Sequence, residues 1–200
     1  MKEKSICLEA ALPVVEQVGF RGDRHQNPMR AAREAGVNFI DTYFRTGLYP
    51  ARLPSGMGME AAGVVEAVGA GVSELAVGQR VASFGPEPGA YATARNIAAA
   101  RLFALPDSVN DETAAAILLK GCTAEFLVER CGKVEAGQTV LVQAAAGGVG
   151  LLLVQWLKKV GATVIGTVST TEKADIARAA GADHIINYSH EDVGARCKEL

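Results

Sequence analysis

The sequence predicts an α/β protein made of a compact, barrel-like β region followed by a parallel sheet flanked by helices. Two observations carry this. Residues 36 to 106 hold many short extended pieces rich in glycine, valine and alanine, broken by Gly and Pro turns. From Thr139 onward, strands and helices alternate strictly, the pattern of βαβαβ. Two hundred residues suffice for one ordinary domain or two small ones, and 49% hydrophobic with 21% charged residues is an ordinary globular balance.

Taken in order, residues 1 to about 35 give mixed signals: an apolar piece from Leu8 to Val18, a polar run from Arg21 to Pro28, and a short helix over Met29 to Ala35, with no strand. Ala61 to Val68 reads as a strand whose Gly69-Ala70-Gly71 end supplies a turn. Val81 to Phe84, Gly89 to Thr93 and Arg101 to Leu105 are further extended pieces. After Pro106, Ser108 with Asp111 three residues later forms a capping box opening a helix from Glu112 to Leu119. A second helical piece, Thr123 to Arg130, ends near Gly132. Thr139 to Gln143 is then a buried strand and Val149 to Val160 a helix closed by Gly161. Thr163 to Val168 is the next strand, Thr171 to Ala180 a helix closed by Gly181, and His184 to Asn187 a third strand.

Charge and cysteine usage exclude several classes. With 20 basic and 22 acidic residues and no basic block, a nucleic-acid partner has no electrostatic footprint. The longest apolar run falls short of a membrane span, and Met1-Lys2-Glu3-Lys4 is not followed by a secretory core and cleavage site. Cys7, Cys122, Cys131 and Cys197 are scattered without a Cys-x-x-Cys pair, which suits reduced thiols. A cytoplasmic address is expected.

The chemistry-bearing segment is Ala144-Ala145-Ala146-Gly147-Gly148-Val149-Gly150, set between a strand and a helix. Glycines there let backbone N–H groups approach a pyrophosphate, and the helix N-terminus adds partial positive charge. The spacing departs from Gly-x-Gly-x-x-Gly, and small residues also serve tight helix–strand packing; the strand–turn–helix context favours cofactor binding. The tip of the next strand chooses the cofactor. An NAD site places an acid there, whereas this chain reads Gly166-Thr167-Val168-Ser169-Thr170-Thr171-Glu172-Lys173. Hydroxyls with a nearby lysine suit a 2′-phosphate, so NADPH is expected. Glu172 suits the first turn of a helix for dipole reasons, and the competing reading of Lys173 is a solvated surface lysine.

With these residues in view, the chain resembles the zinc-independent, zeta-crystallin-like NADPH:quinone oxidoreductases of the medium-chain dehydrogenase/reductase superfamily. The resemblance rests on Gly36-Val37-Asn38-Phe39-Ile40-Asp41-Thr42-Tyr43-Phe44-Arg45-Thr46-Gly47-Leu48-Tyr49-Pro50. Leu53-Pro54-Ser55-Gly56, Glu60-Ala61-Ala62-Gly63, Gly89-Ala90-Tyr91, Leu119-Lys120-Gly121 and the Gly147–Gly150 loop follow in the same order. It implies a GroES-like catalytic domain over 1–122 and the first half of a Rossmann NADP-binding domain over 123–200, with the active cleft between them. It also implies Asn38 beside the nicotinamide, and Tyr43 and Tyr49 lining the substrate pocket, where core packing is the bland alternative for both tyrosines. Thr123 would lie near the cofactor, Gly147, Gly148, Val149 and Gly150 on the pyrophosphate, and Ser169, Lys173 and Tyr188 around the adenosine ribose and its 2′-phosphate.

Zinc members of that superfamily draw a ligand from Gly-His-Glu; here the segment is Gly58-Met59-Glu60, and no cysteine cluster offers a second site. His25, His184 and His190 are isolated. The implied reaction is therefore zinc-free reduction of a quinone by hydride or stepwise electron transfer, in a full-length homodimer. Reduction of an enone is the alternative within the same chemistry. A non-catalytic NADPH- or RNA-binding protein, or an inactive fragment, is the alternative from another class. Relatives in this family continue past Leu200, and Arg21 to Glu34 does not match them. A truncated sheet with an exposed edge, aggregation and weak turnover are accordingly expected.

Overall fold

The computed structural model describes residues 17–21, 35–69, 71–85 and 88–200. The expected helix over Met29–Ala35 falls outside the described residues except for Ala35, and His25 and Cys7 lie outside them too. Contacts divide the chain into two compact units, Met1–Leu119 and Lys120–Leu200.

The first unit is built on an antiparallel sheet in the order β5-β1-β3-β4-β6, with β2 paired to β3. Its strands are β1 (Gln17–Arg21), β2 (Ala35–Gly36), β3 (Glu60–Val68), β4 (Arg80–Phe84), β5 (Ala94–Ala98) and β6 (Leu102–Ala104). Three expectations are corrected here. A strand does form before residue 35: β1 pairs with both β3 and β5, and its sequence Gln-Val-Gly-Phe-Arg has the period-two alternation of a strand. Gly89 to Thr93 is loop, anchored by the Ala90 and Tyr91 N–H groups on the Gly58 and Met57 carbonyls; the ladder forms instead at β5. Third, a helix stands where only extended pieces were expected: α1 (Phe39–Thr46) is opened by Asn38 and closed by Gly47 at φ 75°. Asn38 and Asp41 form a capping box, in which the Asp41 carboxylate accepts the Asn38 backbone N–H at 2.9 Å.

Because successive residues of β3 point to opposite faces, its valines and alanines feed two cores. Ala61 and Val65 pack with Val81 and Ile97, while Ala62 packs with Ala82, Ala114 and Ala115. The last two belong to α2 (Asp111–Glu125). Two more corrections concern this helix. Its start is capped by Asn110, whose Oδ1 accepts the Thr113 N–H at 2.7 Å, and not by Ser108. It also runs unbroken through Gly121 and passes into a π-helical turn over Phe126–Gly132. A single interior glycine costs only about 1 kcal/mol against alanine, too little to end a helix whose neighbours are good formers.

The second unit follows the expected alternation closely. β7 (Thr139–Val142), β8 (Thr163–Val168) and β9 (His184–Asn187) form a parallel sheet in the order β7-β8-β9. The helices between and after them are α3 (Gly148–Val160), α4 (Thr171–Ala179) and α5 (Val193–Glu199). Val142, Val154, Leu157, Val164 and Val168 make the core. β8 is buried along almost its whole length, as the central strand of a parallel sheet should be. Lys158, on the last turn of α3, ties this helix to the start of β9 through Asp183, Nζ to both carboxylate oxygens at 2.8 Å. That bond, with the Val164 N–H, holds the Asp183 carboxyl below its ordinary range. Among the described residues no helix is long and apolar enough to cross a membrane.

Candidate functional site

Each unit carries a group of residues with chemistry beyond packing. In the first unit it centres on Asn38, 8% exposed at the mouth of α1. Its Nδ2 donates to Glu60 Oε2 at 2.9 Å and to the Gly36 carbonyl at 3.2 Å. Glu60 is fully buried, and its other oxygen accepts the Leu119 N–H at 2.6 Å. A buried carboxylate needs several donors to stay in place, and these two converge on it. Asp41, also buried, accepts the Tyr91 hydroxyl at 2.6 Å beside the Asn38 N–H. Desolvation, then that hydrogen bond, then the charges of Asp41 and Glu60 push the Tyr91 phenol well above its ordinary range, so it stays a donor. Sequence reasoning picks out Asn38 but not Glu60, Asp41 or Tyr91. A signal for Glu60 exists: an acid as the first residue of an otherwise apolar strand has to be paired if it is buried.

The rings of Tyr43 and Tyr49 are in contact, their centroids 5.2 Å apart. Phe39 and Phe44 extend the group, edge-on to Tyr43 at 5.4 Å and to Tyr49 at 5.8 Å. Tyr43 is half-buried, while Tyr49 and Phe39 are exposed. Aromatic rings at these spacings favour a further flat ring by stacking or edge contact. Within this cluster Phe39 is 74% exposed.

In the second unit the glycine loop lies at the carboxyl end of β7. Ala144 takes a left-handed φ of 50°, and the Gly147 N–H bonds its carbonyl at 2.8 Å. Gly147 caps α3, so Gly148, Val149 and Gly150 form the first turn, whose N–H groups lack partners within the helix. Thr167, fully buried on β8, braces the loop. Its Oγ1 accepts the Ala144 N–H at 3.2 Å and donates to Gln143 Oε1 at 2.7 Å, and its carbonyl accepts the Ala145 N–H at 3.0 Å. Thr123 is half-buried near the end of α2.

Ser169, Lys173 and Tyr188 gather where β8 and β9 end. Lys173 Nζ donates to Ser169 Oγ at 3.1 Å, and the Tyr188 N–H bonds the carbonyl of Val168, the residue before Ser169. Tyr188 and Lys173 are exposed and Ser169 half-buried. Glu172 is held below the ordinary carboxylate range chiefly by a hydrogen bond with the Thr170 side chain, so it is engaged at the helix start.

A zinc ion is implied by part of the superfamily, and the donor set here does not fit one. Met59, buried before Glu60, offers a thioether, a poor partner for Zn²⁺. Both Glu60 oxygens are engaged by N–H groups. Among the described residues no three His, Cys, Asp or Glu side chains cluster as metal ligands.

Comparison with known proteins gives the same two parts. Residues 31–128 match the model of the alcohol dehydrogenase GroES-like domain, and residues 148–200 match that of the zinc-binding dehydrogenases. A quinone oxidoreductase of Pseudomonas aeruginosa is 51% identical over 169 residues, 84% of this chain and 52% of that protein. A 2-haloacrylate reductase of a Burkholderia species is 46% identical over 171 residues, covering 82% of this chain and 51% of its own. The crystal structure of Escherichia coli quinone oxidoreductase complexed with NADPH superposes with a TM-score of 0.87 at 41% identity, covering 98% of this chain and 57% of that one. The chain thus spans about half the length of the curated relatives it matches. The fold is a GroES-like unit with a Rossmann-like unit, and the chain belongs to the quinone oxidoreductases of the medium-chain dehydrogenase/reductase superfamily.

Proposed function

We propose that this chain binds NADPH and takes part in the zinc-free reduction of a quinone, with the substrate-handling residues and Asn38 within 1–122 and the other cofactor-binding residues within 123–200. The observation that carries the cofactor is the Lys173–Ser169 pair at the carboxyl end of β8, where no acid stands at the strand tip. A lysine ammonium and a hydroxyl are partners for a 2′-phosphate dianion, and an NAD site would put an acid there to accept from the ribose. The residues fit the rest of a dinucleotide as well. The α3 N-terminus supplies N–H donors and partial positive charge for a pyrophosphate, and Gly147 to Gly150 keep side chains out of its way. Thr123 and Asn38 are assigned to the cofactor, and Tyr188 to the adenosine ribose beside Ser169 and Lys173.

Bound NADPH would supply the reducing equivalents. Tyr43 and Tyr49 would stack on the quinone ring and donate hydrogen bonds to the oxygen that gains negative charge. Phe39 would exclude water from one side. The Pseudomonas and E. coli relatives, both quinone oxidoreductases, favour the quinone over an enone. Soluble cytoplasmic residence and a homodimeric whole protein belong to the same reading.

A titration with both cofactors tests the assignment. Lys173→Ala should remove about 1.5–3 kcal/mol of NADPH binding, the worth of a hydrogen bond to a charged group, and leave NADH binding almost unchanged. Equal losses for the two cofactors would refute the 2′-phosphate site. The zinc-free part has its own check: protein purified in metal-free buffer should hold no stoichiometric zinc by elemental analysis, and one tightly held ion per chain would overturn it.

A further inference from the structure

Asn38 can meet a ligand in one way only, and Glu60 decides which. An amide side chain carries a donor end and an acceptor end that are often interchangeable in position. Here they are not. The two groups facing the Asn38 nitrogen, Glu60 Oε2 at 2.9 Å and the Gly36 carbonyl at 3.2 Å, both accept and neither donates. Nδ2 must therefore face them, and both its hydrogens are engaged. The amide oxygen, which faces the Asp41 N–H in the capping box, has a second lone pair and is the part of the side chain left to bond anything new. Glu60 is suited to this by the acceptors it offers as well as its position. Two donors, Asn38 Nδ2 and the Leu119 N–H, converge on its two oxygens. Only a carboxylate offers an acceptor to each; a glutamine would turn an NH₂ toward one of them. The Asn38 backbone is held separately, its N–H on Asp41 Oδ2. Asp41 is fixed in turn by the Tyr91 hydroxyl.

We propose that Glu60 is a positioning residue that makes Asn38 an acceptor-only contact, so that the group Asn38 recognises is an N–H donor, the primary carboxamide of the nicotinamide. This rests on the reading that the chain binds NADPH. Asn38 then fixes the rotation of the carboxamide, and it is unable to donate to a substrate oxygen. That task is left to Tyr43 and Tyr49.

The 3-acetylpyridine analogue of NADPH separates these roles, because an acetyl group replaces the carboxamide and carries no N–H. The parent chain should bind NADPH roughly tenfold more tightly than the analogue, the size of a net hydrogen bond. Asn38→Ala and Glu60→Gln should each erase that preference by weakening NADPH alone. A parent chain that binds both equally well, or a Glu60→Gln variant that keeps the preference, would overturn the inference. A parent that binds neither sinks the NADPH reading itself. The clamp is judged apart from any cofactor and without any need for the variants to fold. In the parent chain, the Asn38 side-chain NH₂ resonances should show both hydrogens protected from exchange with solvent. Rapid exchange of either would show that Nδ2 is not held and would reject the role of Glu60.

Discussion

Gly150→Ala is expected to abolish dinucleotide binding while Gly148→Ala, two residues away in the same helical turn, leaves it nearly intact. A Cβ at Gly150 would lie 2.2 Å from the Ala144 carbonyl oxygen and 2.9 Å from both Cα and C of Ala145. All three are backbone atoms and have little room to move. Ala144 already sits at φ 50°, its N–H is bonded to Thr167 Oγ1, and its carbonyl accepts the Gly147 N–H. The added methyl must push α3 off the loop or break these bonds. Overpacking of this kind costs about 1–3 kcal/mol of stability. The larger effect falls on binding, because the first turn of α3 and its N–H groups would move with the helix. Each N–H bond to the charged pyrophosphate lost in this way costs about 1.5–3 kcal/mol, and several would be lost together. At Gly148 the nearest atoms to a new Cβ are Lys120 Cδ and Cε, at 3.1 and 3.2 Å. Those belong to the far end of a flexible side chain that can swing aside. NADPH titrations of both variants, with thermal melts to confirm folding, decide the matter. Similar affinities for the two variants would mean that the loop does not cradle the cofactor.

The same loop is the most legible part of the amino-acid sequence, and the reason is physical. Parallel strands buried on both faces read as apolar runs, and helices between them end on glycines that take left-handed φ, as Gly161 does at 93° and Gly181 at 112°. These are local signals, so Thr163–Val168 and His184–Asn187 are strands in the structure as expected. The first unit is harder to read because its order is made by partners far apart in sequence. β1 pairs Val18 with Val68 and with Ile97, and five residues of ordinary composition gain strand structure only through those ladders. α1 escapes a reading of the sequence although its start and stop are written out, Asn38 with Asp41 three residues on and Gly47 at the end. Eight residues rich in β-branched and aromatic types have weak helix propensity, which hides those signals. At the candidate site, Asn38, Tyr43 and Tyr49 are visible as a resemblance. Glu60 is not, because what singles it out is complete burial, a property of the fold and not of the residue.

Gly36→Ala is expected to be the most destabilising single methyl in the first unit. A Cβ there would fall 2.0 Å from the carbonyl oxygen of Ala115 and 2.4 Å from Glu60 Oε2. Two tightly held things meet at that point. Ala115 is fully buried in α2 and packs with Ala62, Ala82 and Ala114. Glu60 is a buried carboxylate whose two oxygens are both bonded. Either α2 lifts from the sheet and opens the alanine core, or Glu60 leaves its donors and a buried charge loses its partners. Stripping a buried charge of its partners costs about 3–5 kcal/mol. That is much of the ~5–15 kcal/mol that holds an ordinary domain together. Gly47→Ala supplies the comparison. Gly47 sits at φ 75° with open space around the added methyl, so only backbone strain counts against it, about 1–2 kcal/mol. Urea unfolding of the parent chain and both variants measures the difference directly. The expected order is parent, then Gly47→Ala, then Gly36→Ala by a wide margin. A Gly36→Ala variant as stable as Gly47→Ala would mean that β2 and α2 are not packed backbone to backbone around Glu60.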